Sequence, residues 1–197
     1  FLNAIQEEEL TAYSPKDTVQ GRILEDNDSF KIAFTPEEAM MNARGTTEGV
    51  QDPITGKLSE PTLRRLRTED FVKYRIKEDW ILDAKRSVFE PRIIGIAPLK
   101  MVEGNWQPVF WIYFDEAREV LSRKRLLNPL NDASVMTYDD FFVRRLFTST
   151  IIKQTNPGNR TIMEILGATD PKDPKVIAES ERIQKTLDNF QNRMWNK

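Results

Sequence analysis

The chain has 197 residues, of which 39% are hydrophobic, and it contains neither histidine nor cysteine. Their absence excludes thiolate nucleophiles, disulfide bonds, zinc sites built from Cys or His, and the Ser-His-Asp triad, which leaves carboxylates, Lys, Tyr or an all-oxygen metal site for any catalysis. The formal net charge is −2, from 29 basic and 31 acidic residues, and gives no electrostatic case for nucleic acid or for an anionic membrane.

The beginning of the chain, FLNAIQEEEL, has neither Met nor a basic and apolar leader, so we interpret the chain as a mature or trimmed one. Since no apolar run approaches the ~20 residues that span a bilayer, we expect no direct insertion into a membrane.

Residues 1–70 are predicted to form an irregular N-terminal segment or arm that belongs to the same domain as the rest. FLNAIQEEEL fits the end of a helix, and Thr35 with Glu38 three residues later fits a capping box. Residues 42–61 hold three Gly and two Pro among small polar residues, which is typical of a loop or an extended arm.

Residues 71–197 are predicted to form an α+β core that starts with a three-stranded antiparallel meander over 71–114. From Phe71 to Asp83 the even positions are mostly apolar and the odd positions mostly charged, as in a half-buried strand. A second strand follows from Val88, and a turn at Gly104 leads into a third, VFWIYF at 109–114. Because the third strand is apolar on both faces, we place it in the sheet interior, with further strands available from the N-terminal segment.

Three helices are predicted after the sheet, at 115–125, 138–153 and 174–195. Asp115 is the expected N-cap of the first and Thr137 that of the second. The antiparallel meander packed with C-terminal helices, together with the irregular arm, defines the fold class as α+β.

Glu78 is the one charged residue on the apolar, even-numbered face of the first strand. If Leu82 pairs with Val88 across the turn, Glu78 falls opposite Arg92, whereas a shift of one residue creates like-charge pairs. We therefore predict a structural ion pair between Glu78 and Arg92 that fixes the register. The adjacent acids Glu78 and Asp79 point to opposite faces of a strand and cannot form a catalytic dyad.

The acids at 138–140 and 170–173 lack the spacing of a calcium loop and are better explained by helix capping and turns, so no metal ligand, cofactor site or catalytic residue is assigned. Basic clusters occur at 64–67, 123–125 and 144–145 without a nucleic-acid-binding module. The cluster at 64–67 is interpreted as a solvated face or the rim of a protein contact. Its candidate contact residues are Arg64, Arg65 and Arg67.

The predicted helix over 138–153 is apolar on two sides, and its second stripe consists of Val143, Phe147 and Ile151. Such a helix is buried on both sides, either between the sheet and another helix or with one side against a second chain. The three residues are therefore candidates for contact with a partner.

Several segments, in this order, resemble the GldN/PorN family of the gliding-motility and type IX secretion machinery of the Bacteroidetes. They are LTAYSPKD, YRIKEDWILDAKRSVFEPRIIGIAP, FWIYFDEAREVL, NPLNDA, TYDDFFVRRLFTSTIIK and ESERIQKTLDNFQNRMW. They span nearly the whole chain outside about 20–65.

The resemblance implies a non-enzymatic structural subunit in the periplasm that associates with the outer membrane through a partner. That partner would be a GldK/PorK-type outer-membrane lipoprotein, with which the family forms large rings, and a second would be a GldM/PorM-type protein anchored in the inner membrane. The machinery would export proteins and serve motility or virulence. From the residues alone, a carboxylate-dependent hydrolase and a nucleic-acid-binding module remain as alternatives.

Overall fold

The computed structural model describes residues 1–19, 22–24, 27–44, 71–102, 104–126 and 136–195. The fold class is α+β, as predicted, with an antiparallel sheet and helices that are mostly C-terminal. The helices are α1 (Leu2–Gln6), α2 (Pro36–Arg44), α3 (Phe114–Ser122), α4 (Tyr138–Val143), α5 (Ile162–Leu166) and α6 (Pro174–Trp195). The strands are β1 (Asp17–Val19), β2 (Arg22–Leu24), β3 (Lys73–Asp83), β4 (Val88–Val102), β5 (Asn105–Pro108), β6 (Ile112–Tyr113), β7 (Arg125–Leu126) and β8 (Met136–Thr137).

The chain divides into two compact units. The first comprises Phe1–Glu78 and Ile93–Asp140, and the second comprises Asp79–Arg92 and Phe141–Lys197. The sequence-based division into an arm over 1–70 and a core over 71–197 of one domain stays a prediction.

The main sheet has the order β3-β4-β5, and β6 also pairs with β4. Leu99 of β4 pairs with Pro108, whereas Ile96 pairs with Ile112. Residues 97–98 of β4 therefore face the three residues 109–111, which is a β-bulge with one extra residue. The bulge separates β5 from β6. The third strand predicted at 109–114 is therefore a regular strand only at Ile112–Tyr113, and β5 lies before it.

Residues 109–112 form the interior of the first unit, as their composition predicted. Trp111 exchanges two backbone hydrogen bonds of 2.8 Å with Tyr13, and Ser14 N–H donates to the carbonyl of Ile32. The N-terminal segment thus adds extended chain to the far side of the third strand, in line with the expectation of further strands. Val109, Phe110, Trp111 and Ile112 are at most 1% exposed.

An aromatic cluster fills the first unit around Phe30. Its ring stacks on Tyr113 with 4.3 Å between centroids and meets the edges of Trp111 and Tyr13 at 5.6 and 5.7 Å. Phe30 has a φ of +55°, a backbone conformation that bulky residues rarely adopt, so the surrounding packing must hold it there. Gly95 lies beneath this ring, in the strand position opposite Tyr113.

Two of the three predicted helix caps are confirmed. Thr35 N–H donates to Glu38 Oε2 at 2.8 Å and Thr35 Oγ1 accepts from Glu38 N–H, which is the predicted capping box. Thr137 Oγ1 accepts from Asp140 N–H at 3.1 Å in the same way. Asp115, however, is not a cap, because α3 begins at Phe114 after an N-cap residue without a side-chain hydrogen bond.

The predicted helix over 138–153 is wrong beyond Val143, where α4 ends. Arg145 adopts a φ of +54°, its N–H donates to the carbonyl of Phe142, and Leu146 N–H donates to that of Phe141. These two bonds form a Schellman motif that closes the helix. The β-branched residues within 148–152 then disfavour a new helical turn.

The second unit has its own small core between α5 and α6. Ile162, Val176 and Ile183 are buried there, and Ile151 and Leu187 pack against them. The helix α6 has the predicted bounds. In the part of the chain that is described, no helix is long and apolar enough to cross a membrane.

Candidate protein-interaction surfaces

The acidic residues in the segments 138–140 and 170–173, where no metal ligand was assigned, accept hydrogen bonds within the chain. Asp170 Oδ1 accepts from Lys172 N–H and Asp173 Oδ1 from Lys175 N–H, each at 2.8 Å, as expected of turn residues. Asp139 accepts two hydrogen bonds, of 2.9 and 3.1 Å, from Arg118. Within the described ranges, no three acidic residues come together in a way that could hold a metal ion.

Exposed apolar side chains mark the strand β3 and the residue before it. Val72 is 67% exposed, Tyr74 46% and Leu82 47%, although all three belong to the face that was predicted to be buried. Ile81 of the other face is 45% exposed. The burial of β3 therefore does not alternate between its faces, and the prediction of a half-buried strand is wrong.

Lys77 shows why the alternation fails on the charged face. Its Nζ donates to the backbone carbonyl of Asp28 at 2.7 Å and lies 5.4 Å from the centre of the Phe30 ring. A lysine can cover an apolar cluster with its alkyl chain while its ammonium group reaches a polar partner. Lys77 therefore covers the aromatic cluster from a position that the sequence assigned to solvent.

Tyr74 has a partly apolar environment in spite of its exposure. Its ring meets the edge of Phe1 with 6.5 Å between centroids. Partial burial, and to a lesser degree the neighbouring Tyr138, raise the pKa of the Tyr74 phenol above its ordinary value. The phenol therefore stays neutral and available as a hydrogen-bond donor over the physiological range.

β3 lies at an edge of the main sheet. Among the residues that the structure describes, β4 is its hydrogen-bonded neighbour, and no second described strand flanks it. Edge strands expose backbone donors and acceptors and are ready sites for pairing with another chain. A strand of 11 residues with exposed apolar side chains is therefore a candidate surface for strand addition.

The three predicted contact residues Val143, Phe147 and Ile151 do not share a helix face, because α4 ends at Val143. Val143 is 53% exposed at the end of α4. Phe147 lies about 6 Å from the rings of Phe141 and Phe142 and carries the Arg145 guanidinium 5.3 Å from its ring centre. Ile151 packs on the α5–α6 core. That any of the three contacts a partner stays a prediction, and Val143 is the most exposed of them.

Further exposed apolar side chains of the second unit were not singled out from the sequence. They are Leu146, Ile152, Ile165, Leu166, Ile177 and Phe190, each between 40 and 51% exposed. The sequence does contain a signal for this exposure. The adjacent apolar residues at 165–166 on α5 and at 176–177 on α6 make the apolar side of each helix wider than a single packing face requires.

The basic clusters at 64–67 and 123–125 differ in what the structure describes of them. Arg64, Arg65 and Arg67 lie outside the described residues. Arg123 donates to both carboxylate oxygens of Glu9, at 3.1 and 2.9 Å, and this hydrogen bonding raises the pKa of Arg123 above its ordinary value. The cluster at 123–125 thus contributes an ion pair within the first unit.

The ion pair between Glu78 and Arg92 stays a prediction. The rings of Trp80 and Phe89 lie 5.1 Å apart, within the second unit. An unbroken ladder with Leu82 opposite Val88 would put these rings on opposite faces, so their contact favours a bulge or a shift of one residue within the hairpin.

A capping box on α5 was also missed. Thr161 Oγ1 accepts from Glu164 N–H at 3.2 Å, and Thr161 N–H donates to Glu164 Oε2 at 2.7 Å. The T-x-x-E spacing before an apolar run was the available signal.

The described part of the chain thus combines an α+β fold with exposed apolar side chains in both units. The family described as "Gliding motility associated protein GldN" matches residues 1–196, and the chain belongs to this family. The resemblance of the sequence segments to GldN/PorN is thereby confirmed. Comparison with curated proteins gives no significant match. Membership of the family makes the chain a component of the gliding-motility and type IX secretion machinery.

Proposed function

We propose that the chain is a non-enzymatic structural subunit of the periplasmic ring of the type IX secretion system. It binds a GldK/PorK-type outer-membrane lipoprotein, contacts a GldM/PorM-type protein anchored in the inner membrane, and associates with further copies of itself in the ring. The match to the GldN family over residues 1–196 is the observation that carries the proposal. The machinery serves protein export and, with it, gliding motility or virulence.

The exposed apolar residues of the second unit support binding as the mode of action. This unit buries few side chains in its core, yet Val143, Ile165 and Ile177 are 53, 51 and 44% exposed. Because these side chains are already about half buried, each gains roughly half of the 1.5–3 kcal/mol of full burial, about 0.7–1.5 kcal/mol, when a partner covers it. A subunit of a stable assembly would therefore have a physical reason to retain them.

Co-expression with the GldK/PorK-type lipoprotein tests the proposal. The chain should co-purify with the tagged lipoprotein, and electron microscopy of the purified complex should show rings. A complex that is strictly monodisperse and small, without a ring or any larger assembly, would contradict the proposed role, as would a failure to co-purify.

Single substitutions then test whether the second unit supplies the contact. Val143→Glu and Ile165→Glu should each weaken co-purification at least tenfold, since a buried unpaired carboxylate costs more than 1.4 kcal/mol. Thr148→Glu, at an exposed polar position of the same unit, is the matched control and should have no effect. Equal thermal unfolding of all three variants shows that the loss of binding is not a loss of folding.

A further inference from the structure

We propose that β3 pairs with β3 of a second copy of this chain, antiparallel and around a two-fold axis at Glu78. The surface is the edge of β3 that no second described strand flanks, and its occupant is the same strand of the second copy. The pairing uses this one continuous strand and does not depend on the proposed role in the ring.

The charge distribution along β3 is complementary to itself. The basic residues Lys73, Arg75 and Lys77 occupy its first half, and the acidic residues Asp79 and Asp83 occupy its second half. An antiparallel copy reverses this order, so the basic half of each strand lies beside the acidic half of the other. Opposite charges on directly facing residues stabilise a strand pair, whereas like charges destabilise it.

The best register follows from the strand itself. Glu78 is the middle residue of Lys73–Asp83, so an axis through Glu78 uses the whole length of β3. In this register Lys73 faces Asp83 and Lys77 faces Asp79, and the two-fold axis repeats both pairs. A shift of one residue either leaves only Lys77 beside Glu78 or brings Glu78 beside Asp79, and both choices are electrostatically worse.

The apolar residues of β3 gain partners in the same register. Tyr74 faces Leu82 and Ile76 faces Trp80 on the even-numbered side, again twice each. Tyr74 and Leu82 are 46 and 47% exposed in the single chain, so the pairing covers side chains that β4 leaves accessible. The exposure of this strand, which its composition did not predict, has a physical explanation if the edge is covered in a dimer.

Two features limit the strength of the pairing. The two copies of Glu78 face each other at the axis, which is unfavourable. Lys77 already donates to the carbonyl of Asp28, although an ammonium group has further N–H donors for the carboxylate of Asp79 in the second copy. We therefore expect a reversible dimer whose affinity falls as salt is added.

Sedimentation equilibrium of the isolated chain, from about 1 to 100 µM at low salt, tests the pairing. We expect a monomer–dimer equilibrium, and a monomer across this whole range would overturn the proposal. Asp79→Lys should lower the association constant at least tenfold, because it replaces two attractive pairs by two repulsive ones.

A mixture of two variants gives the sharpest test. Asp79→Lys alone places two lysines at positions 77 and 79, and Lys77→Asp alone places two aspartates there, so each variant by itself should stay monomeric. Mixed at equal concentrations they should form a heterodimer in which both central pairs are attractive again. Dimers that survive in either single variant, or a mixture of two folded variants that stays monomeric, would show that another surface is responsible. If Lys77→Asp does not fold, the response of Asp79→Lys decides alone.

Discussion

Replacing Gly95 by alanine should destabilise the first unit, because the added methyl group would meet the ring of Phe30. A Cβ at Gly95 would lie 2.3 Å from Cζ and 2.9 Å from Cε1 of Phe30, and 3.3 Å from the carbonyl oxygen of Ile112. The shortest of these distances is about 1 Å below ordinary van der Waals contact. The ring cannot easily move away, since it stacks on Tyr113 and meets the edges of Trp111 and Tyr13.

The expected loss is about 1–2 kcal/mol in the free energy of unfolding. Overpacking a filled core costs about 1–3 kcal/mol. Alanine returns about 0.4–1 kcal/mol because it restricts the unfolded chain more than glycine does. Urea denaturation followed by tryptophan fluorescence measures the difference.

Two controls separate the clash from a general effect of alanine. Gly158→Ala makes the same chemical change where the nearest atom, 3.0 Å away, belongs to the flexible side chain of Arg160, so it should leave stability unchanged or raise it by up to about 1 kcal/mol. In a Phe30→Leu background the penalty of Gly95→Ala should largely disappear. If Gly95→Ala is neutral, or costs as much in the Phe30→Leu background as in the parent, the proposed packing of Phe30 over Gly95 is refuted.

The remaining predictions concern caps, turns and one ion pair. Thr161→Ala removes the hydroxyl of the α5 capping box and should lower the free energy of unfolding by about 0.5–2 kcal/mol, as measured by chemical denaturation. Ser87 has a φ of +53°, so Ser87→Gly should stabilise the chain by up to about 1 kcal/mol, whereas Arg86→Gly in the same turn, where φ is not positive, should destabilise it. A hydrogen bond from Arg182 lowers the pKa of Glu179, so this carboxylate stabilises α6 at pH values above its unfolded pKa of about 4.3 and ceases to do so as the pH falls through the lower folded pKa. The difference in Tm between the parent and Glu179→Gln should accordingly shrink to zero in acid, and a difference that persists there would show that the ion pair is not its cause.

Features specified by neighbouring residues were predictable from the sequence. The capping boxes at Thr35 and Thr137 use side chains three residues apart, and the interior position of 109–112 follows from an unbroken apolar run. The helix α6 was recognised from apolar residues spaced three and four apart. In each case the structural requirement lies within one element, where a pattern in the sequence is sufficient.

The error in the predicted helix 138–153 has a different origin. The spacing of Val143, Phe147 and Ile151 satisfies a helical stripe, but Arg145 in a left-handed conformation ends α4 first. A glycine in the sequence often indicates a left-handed residue at the end of a helix, whereas an arginine does not. Phe147 instead contacts the nearby ring of Phe142 in a non-helical geometry, and Ile151 packs on α5 and α6, which lie further along the chain.

The bulge at 109–111 and the position of Lys77 were equally inaccessible to pattern analysis. An extra residue in a strand leaves the apolar composition unchanged, while it moves every later side chain to the other face. Lys77 lies over the aromatic cluster because Phe30, 47 positions earlier in the chain, brings its ring there. The family, by contrast, was recognisable because its characteristic segments are distributed over nearly the whole chain.

Symmetry requires the two proposed modes of association to use different surfaces. A two-fold contact such as β3 on β3 is closed, because each copy presents the same strand and the edge is used up. A ring needs a head-to-tail contact, in which one patch of a subunit meets a different patch of the next. Asp79→Lys should therefore abolish the dimer of the isolated chain and leave co-purification with the lipoprotein intact, while Val143→Glu should do the reverse. If one substitution abolished both, a single surface would serve both contacts, and the assignment of β3 to self-pairing would have to be abandoned.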